Sequence, residues 1–207
     1  GTQHVTLEDP TLKDFMITYQ YALKLLAIKV EEHSQVSNIV LEVKNLWFDY
    51  LNILSKDSTY LVNKYFNQSI LKTKRPNTHP FSEDGAPMLT KPLLLGFIAL
   101  ACRNLRSWIL PCNLVQWSVD GIVPYLTLWE ALPNEIKQTG RLNRKHRSVF
   151  QLEMMNYSPT PINILFHMQS LGEFLNKPIV PLNTPLIAHS FIKQLQLPME
   201  VWKVYSK

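Results

Sequence analysis

The sequence predicts an all-α fold. Three observations carry that prediction. Apolar residues recur at three- and four-residue steps through the long segments, strand-like alternation is weak throughout, and 6 glycines against 14 prolines suit helices punctuated by proline. No Asn-Gly or Asp-Gly pair joins two alternating apolar runs, as a tight hairpin would require. At 207 residues the chain accommodates one large domain, or one domain with part of another. Its 46% hydrophobic and 18% charged content belongs to a globular protein with a real core.

Asp9-Pro10 opens the first helix, with Asp as N-cap and Pro at the first helical position. Leu12, Phe15, Met16, Tyr19, Leu23, Leu26 and Val30 form its core-facing stripe. Tyr21, Leu25 and Ile28 widen the stripe, so burial on more than one side is expected before Glu31-Glu32-His33-Ser34 ends the helix. The aromatic positions read as core and not as a base-stacking platform. Ser37 is expected to cap a second helix with Val36, Val40, Val43, Leu46, Trp47, Tyr50, Leu51 and Leu54 on one face. Glu42, Lys44, Asn45 and Asp49 occupy the other face. A weaker helical piece runs from Ser58 to Gln68, and breakers in quick succession then make residues 70–89 a loop.

Thr90 starts a third strong helix in which almost every residue from Leu93 to Cys102 is apolar. A helix apolar all round is a buried helix, with others wrapped about it. The run of about ten residues is too short to cross a bilayer, which takes about 20. Asn113 is expected to cap a short helix that Gly121 ends in a left-handed conformation. Pro124 is expected to open another, Tyr125 to Leu132, stopped by Pro133. Residues 148–158 carry no clear pattern. Ser158 or Thr160, beside Pro159 and Pro161, caps a helix through Ile162, Leu165, Phe166, Gln169 and Leu175. Asn183-Thr184-Pro185 starts the last clear helix, and Pro198 begins a turn with Val201, Trp202 and Tyr205.

Motifs for chemistry are missing. The glycines form no phosphate-binding loop, and the histidines at positions 4, 33, 79, 146, 167 and 189 form no His-Glu-x-x-His pair. The serines lack the turn that exposes a nucleophile. A non-enzyme without catalytic, metal or cofactor-binding residues is expected. Cys102 and Cys112, both read as buried thiols, suit a reducing compartment, and no signal peptide opens the sequence, so cytosol or nucleus is expected.

The net charge of +5 is unevenly placed. Lys72, Lys74 and Arg75 form one basic run, and Arg141, Arg144, Lys145 and Arg147 form another, with no acid in either. Without these seven cations the chain is net negative. Concentrated in two loop-like runs, they are the candidate nucleic-acid-binding residues, positioned for backbone phosphates.

The central stretch also resembles a known family. The signature is an apolar helix, a short segment ending Gln116-Trp117, then Asp120-Gly121-Ile122-Val123-Pro124-Tyr125-Leu126 and a helix ending Ala131-Leu132-Pro133. It resembles the transcription factor IIB-like subunit of the RNA polymerase I promoter selectivity factor, the B-type TATA-binding-protein-associated factor of animals, similar to a core-factor subunit in yeast. Tyr19-Gln-Tyr-Ala-Leu, Leu46-Trp47-Phe48-Asp49-Tyr50-Leu51, Gly172-Glu-Phe-Leu-Asn-Lys-Pro and Leu197-Pro198 stand in the family's order. The resemblance implies a zinc ribbon, a linker and two cyclin-like five-helix folds. No CxxC pair is present, so the ribbon is absent from this sequence. Residues 1–147, with the loop 70–89, would supply the first cyclin-like fold, and residues 148–207 the opening helices of a second. The loop is shorter than the family's variable insertion. Those opening helices are expected to dock on the first domain or on another copy, because a partial fold leaves apolar surface uncovered.

Two functions are therefore expected. The resemblance implies a non-catalytic initiation-factor subunit of the nucleus and nucleolus. It would help recruit RNA polymerase I to the ribosomal DNA promoter with TATA-binding protein, sister subunits and contacts to the DNA backbone. The alternative is a cyclin-like helical protein-interaction module without direct nucleic-acid binding.

Overall fold

A computed structural model describes residues 10–56, 87–138, 142, 144–151 and 158–196. Among the described residues the helices are α1 (Pro10–Ser34), α2 (Ile39–Lys56), α3 (Lys91–Asn104), α4 (Pro111–Val119), α5 (Leu128–Ala131), α6 (Asn134–Gln138), α7 (Arg144–Ser148), α8 (Pro161–Phe174) and α9 (Thr184–Gln194). The protein is all-α. Asp9, the weak helical piece 58–68, the first basic run and the turn after Pro198 lie outside the described residues.

α3 is the axis. Every residue from Leu93 to Cys102 is buried, ten in succession, as expected of a helix apolar all round. α1, α2, α4 and α8 all touch it, and among these α8 makes the most extensive contact. Gly96 makes that contact possible. An added Cβ there would lie 2.8 Å from the His167 Cβ, so the two backbones meet where only hydrogen fits between them. Ile164, Met168, Leu171 and Leu175 carry α8 into the same core as α1–α3. α8 thus packs into one core with α1–α3.

Helices α1 and α2 run antiparallel and bury the anticipated stripes, Phe15, Tyr19, Leu23, Leu26 and Val30 on one, Val43, Leu46, Trp47, Tyr50 and Leu54 on the other. Tyr21 is a departure: it is exposed, on a side of α1 that no described helix covers. The start of α2 is another. Its first residue is Ile39, and the side chain that bonds a free N–H there is not Ser37 but Glu31 of α1, whose Oε2 accepts from Val40 N at 2.8 Å. A carboxylate at a helix N-terminus also meets the positive end of the helix dipole.

An aromatic chain knits these elements together. Tyr19 stacks on Trp47 at 5.5 Å between ring centroids, Trp47 on Tyr50 at 5.7 Å, and Tyr50 meets Phe97 edge-on at 5.7 Å and Phe174 at 5.3 Å. The hydroxyls of two of these tyrosines hold the chain as it enters α3. Tyr50 donates to the Pro87 carbonyl at 2.8 Å and Tyr19 to the Thr90 carbonyl at 2.9 Å. Buried hydroxyls that find partners add orientation to what would otherwise be plain apolar packing.

After α3 the chain turns through Arg106, at φ 51°, and Ser107 closes the helix end by donating its hydroxyl to the Cys102 carbonyl at 3.0 Å. α4 begins at Pro111, not at Asn113. Asn113 is its third residue, and its Oδ1 accepts from Leu110 N at 2.8 Å, reaching back to the helix start. Gly121 adopts φ +73°, the left-handed conformation expected of it. Pro124 opens turns in place of a helix: Tyr125 N bonds the Val123 carbonyl at 2.7 Å, and helix resumes only at Leu128. Val123, Tyr125 and Leu128 are all buried in this stretch.

Thr160 and Asn183 are the true caps of the last two helices. Their side chains accept from Asn163 N at 3.2 Å and Leu186 N at 3.3 Å. α9 is loosely attached, with Ile192 its buried residue. Asn183 Nδ2 ties its start to the Arg106 carbonyl at 3.1 Å.

Candidate functional site

The candidate site is the basic run 141–147. Its residues 144–147 lie in α7, so part of what reads as a loop is helical. Leu142, His146 and Phe150 are buried at four-residue steps and make an anchoring stripe on the core. His146 stacks on Phe15 with 4.7 Å between ring centroids, and Phe150 meets Phe15 at 5.8 Å and Tyr19 at 6.2 Å. Phe150 is fully buried although it comes from the stretch whose pattern is unclear. The spacing Leu142, His146, Phe150 was the available signal, hidden because its middle member is a histidine and three cations, Arg144, Lys145 and Arg147, lie within it.

Arg147 is half-buried. Its guanidinium carbon lies 5.6 Å from the centroid of the Trp129 ring, a cation–π arrangement joining α7 to α5. Arg144 and Lys145 share that helix, whereas Arg141, Lys72, Lys74 and Arg75 lie outside the described residues. Of the seven candidate phosphate contacts, the structure thus places Arg144, Lys145 and Arg147 on one short helix pinned against the aromatic end of α1.

Several of the residues that carry the family resemblance are structural, whereas Phe48, Gln116, Asp120 and Ile122 are exposed. Val123 and Tyr125 are buried, and Val123 N bonds the Trp117 carbonyl at 3.0 Å, closing the turn around Gly121. Burial pushes the Tyr125 hydroxyl well above its ordinary pKa. Lys91 Nζ stands 5.1 Å from the Tyr125 ring centroid, tying the start of α3 to this turn.

One of the two cysteines differs from expectation. Cys102 is buried and burial pushes its thiol up to about 12, whereas Cys112 is exposed near the start of α4. His167 is an interior residue of the α3–α8 contact, and burial lowers its pKa to about 4. Among the described residues no three His, Cys, Asp or Glu side chains are grouped to hold a metal ion, and no helix is long and apolar enough to cross a membrane. No family model, no curated protein and no solved structure matches the chain.

Proposed function

We propose that the chain is a non-catalytic, cyclin-like module of a transcription-initiation factor for RNA polymerase I. In this reading it resembles transcription factor IIB and acts as a scaffold in the nucleolus. It helps bring polymerase to the ribosomal DNA promoter together with TATA-binding protein and sister subunits. The observation that carries the reading is the Asp120–Leu126 signature following an apolar helix and a Gln-Trp segment, with the other signatures in order on either side. The arrangement of these segments is compatible with it: a buried central helix, wrapped by others, is what such a scaffold needs. The basic run at 141–147 is assigned to DNA phosphates, a contact that positions a protein and carries little sequence information.

A pull-down with polymerase I and TATA-binding protein tests the partners. A binding titration of promoter DNA across salt tests the basic run, since each phosphate contact contributes to the steepness of the salt dependence. Reversing Arg144 and Lys145 to glutamate should lower DNA affinity and flatten that dependence. Unchanged affinity removes the run from the site.

One observation favours a second reading, a helical protein-interaction module without direct nucleic-acid contact. His146 and Arg147 are engaged in packing on Phe15 and Trp129, so part of the run serves the fold. Partner capture without any salt-dependent DNA binding would decide for this alternative.

A further inference from the structure

Three Ser/Thr-Pro dipeptides occur in the sequence, Ser158-Pro159, Thr160-Pro161 and Thr184-Pro185. The fold presents them differently. The Ser158 hydroxyl oxygen is buried, and so is Pro159 after it. Thr184 is exposed but is already the first residue of α9. Thr160 is exposed on extended backbone, φ −87° and ψ 152°, immediately before α8. Proline restricts the residue before it to such a conformation. Pro161, Ile162 and Asn163 are exposed as well, Ile162 at 76%, so the hydroxyl and the three residues that follow it stand clear of the core.

We infer that Thr160 is a phosphorylation site for a proline-directed protein kinase. Such an enzyme takes an exposed hydroxyl on extended backbone, followed by a proline whose missing N–H needs no partner in the enzyme. A hydroxyl inside a helix is a poorer acceptor, because the helical turn holds the following residues against it. A buried hydroxyl cannot reach the nucleotide in line. In the transfer the Thr160 Oγ1 attacks the γ-phosphorus of ATP and a new O–P bond forms. The bond from that phosphorus to the β,γ-bridging oxygen breaks, ADP leaves, and the hydroxyl proton passes to the catalytic aspartate of the kinase.

The surroundings suit the product as well as the acceptor. Thr160 Oγ1 already accepts from Asn163 N at 3.2 Å, and the first turn of α8 carries no acidic side chain to repel a phosphate. A phosphate there brings about two negative charges and three acceptor oxygens to the positive end of the helix dipole. The modification therefore tightens the start of α8 instead of melting it. Because α8 makes the most extensive helix contact with α3, the added stability reaches the core. The inference is independent of the transcription reading, since it uses no residue of the basic run and none of the family signatures.

The test incubates the full chain with a recombinant mitogen-activated protein kinase and ATP and maps the modified positions by mass spectrometry. Ser158 and Thr184 react only through local opening, so Thr160 should be modified at least about tenfold faster than either. In short peptides that carry each site alone the three rates should come close together. Thr160→Ala should remove the fast incorporation, whereas Thr160→Ser, which keeps both the cap and the hydroxyl, should retain it. The phosphorylated chain should melt about 1–4 °C above the unmodified one. The inference is overturned if Thr160 stays unmodified while the kinase consumes a control substrate, or if Ser158 or Thr184 reacts as fast in the folded chain. It is also overturned if the peptides show the same preference as the folded chain, or if the phosphorylated chain melts no higher.

Discussion

Gly96 on α3 and His167 on α8 are in direct backbone-to-backbone contact: a methyl group on Gly96 would lie 2.8 Å from the His167 Cβ and 3.2 Å from the His167 carbonyl carbon. Neither atom is the end of a flexible side chain, so the clash cannot be relieved by a rotamer change. The most extensive helix contact of the fold rests on this pair.

Gly96→Ala should therefore destabilise the protein. Overpacking costs roughly 1–3 kcal/mol, against which alanine recovers about 1 kcal/mol of helix propensity. Urea unfolding should show a net loss in Gly96→Ala. His167→Ala keeps the Cβ and should not rescue it, whereas His167→Gly in the same chain should recover part of the loss. Equal behaviour of the two second-site variants would contradict the geometry.

The same histidine makes stability depend on pH. Burial lowers the His167 pKa from 6.5 to about 4, so between those values the unfolded chain binds a proton that the folded chain refuses. The contribution is complete above pH 6.5, is lost as pH falls from 6.5 towards 4, and changes no further below that. Its full size is about 3 kcal/mol. His167→Gln should flatten the unfolding free energy across this window, and an unchanged slope would refute the assignment.

The two thiols should separate cleanly. Cys112 is exposed and Cys102 is enclosed, with burial pushing it up to about 12. Reaction is carried by thiolate and needs access. An aromatic disulfide reagent should titrate one thiol quickly in the folded protein and the second only after denaturation. Cys112→Ser should leave no fast phase.

Phe150 anchors the segment that carries the basic helix. It is fully buried against Phe15 and Tyr19, so Phe150→Ala should cost about 3–5 kcal/mol. Ile162→Ala, at an exposed position of α8, is the control and should leave the unfolding midpoint nearly unchanged.

The hydroxyl of Tyr50 should be worth about 1 kcal/mol. Tyr50→Phe retains the ring stacking on Trp47 and Phe97 but loses the bond to the Pro87 carbonyl. Amide exchange at Met88 and Leu89 should quicken in that variant while exchange inside α3 does not.

Local patterns alone determined the all-α class, the buried helix Leu93–Cys102, the core stripes of α1 and α2, the cap Asn183, the choice of Ser158 or Thr160 for the cap before it, and the left-handed Gly121. These follow from periodicity, from side chains that bond the nearest free N–H, and from a glycine's freedom at positive φ, all read within a few residues. What needed the tertiary structure involves residues far apart in the chain. Glu31 displaces Ser37 at the start of α2 because the turn returns α2 alongside α1. His146 and Phe150 go inward because the ring of Phe15 waits more than a hundred residues earlier. Tyr21 stays outside because nothing described packs on that side of α1, although its own helix has apolar residues all round. The partner of Gly96 is likewise invisible in sequence. A glycine in an apolar helix signals only that some backbone comes close, and it takes the packing of α8 to show that the backbone is that of His167.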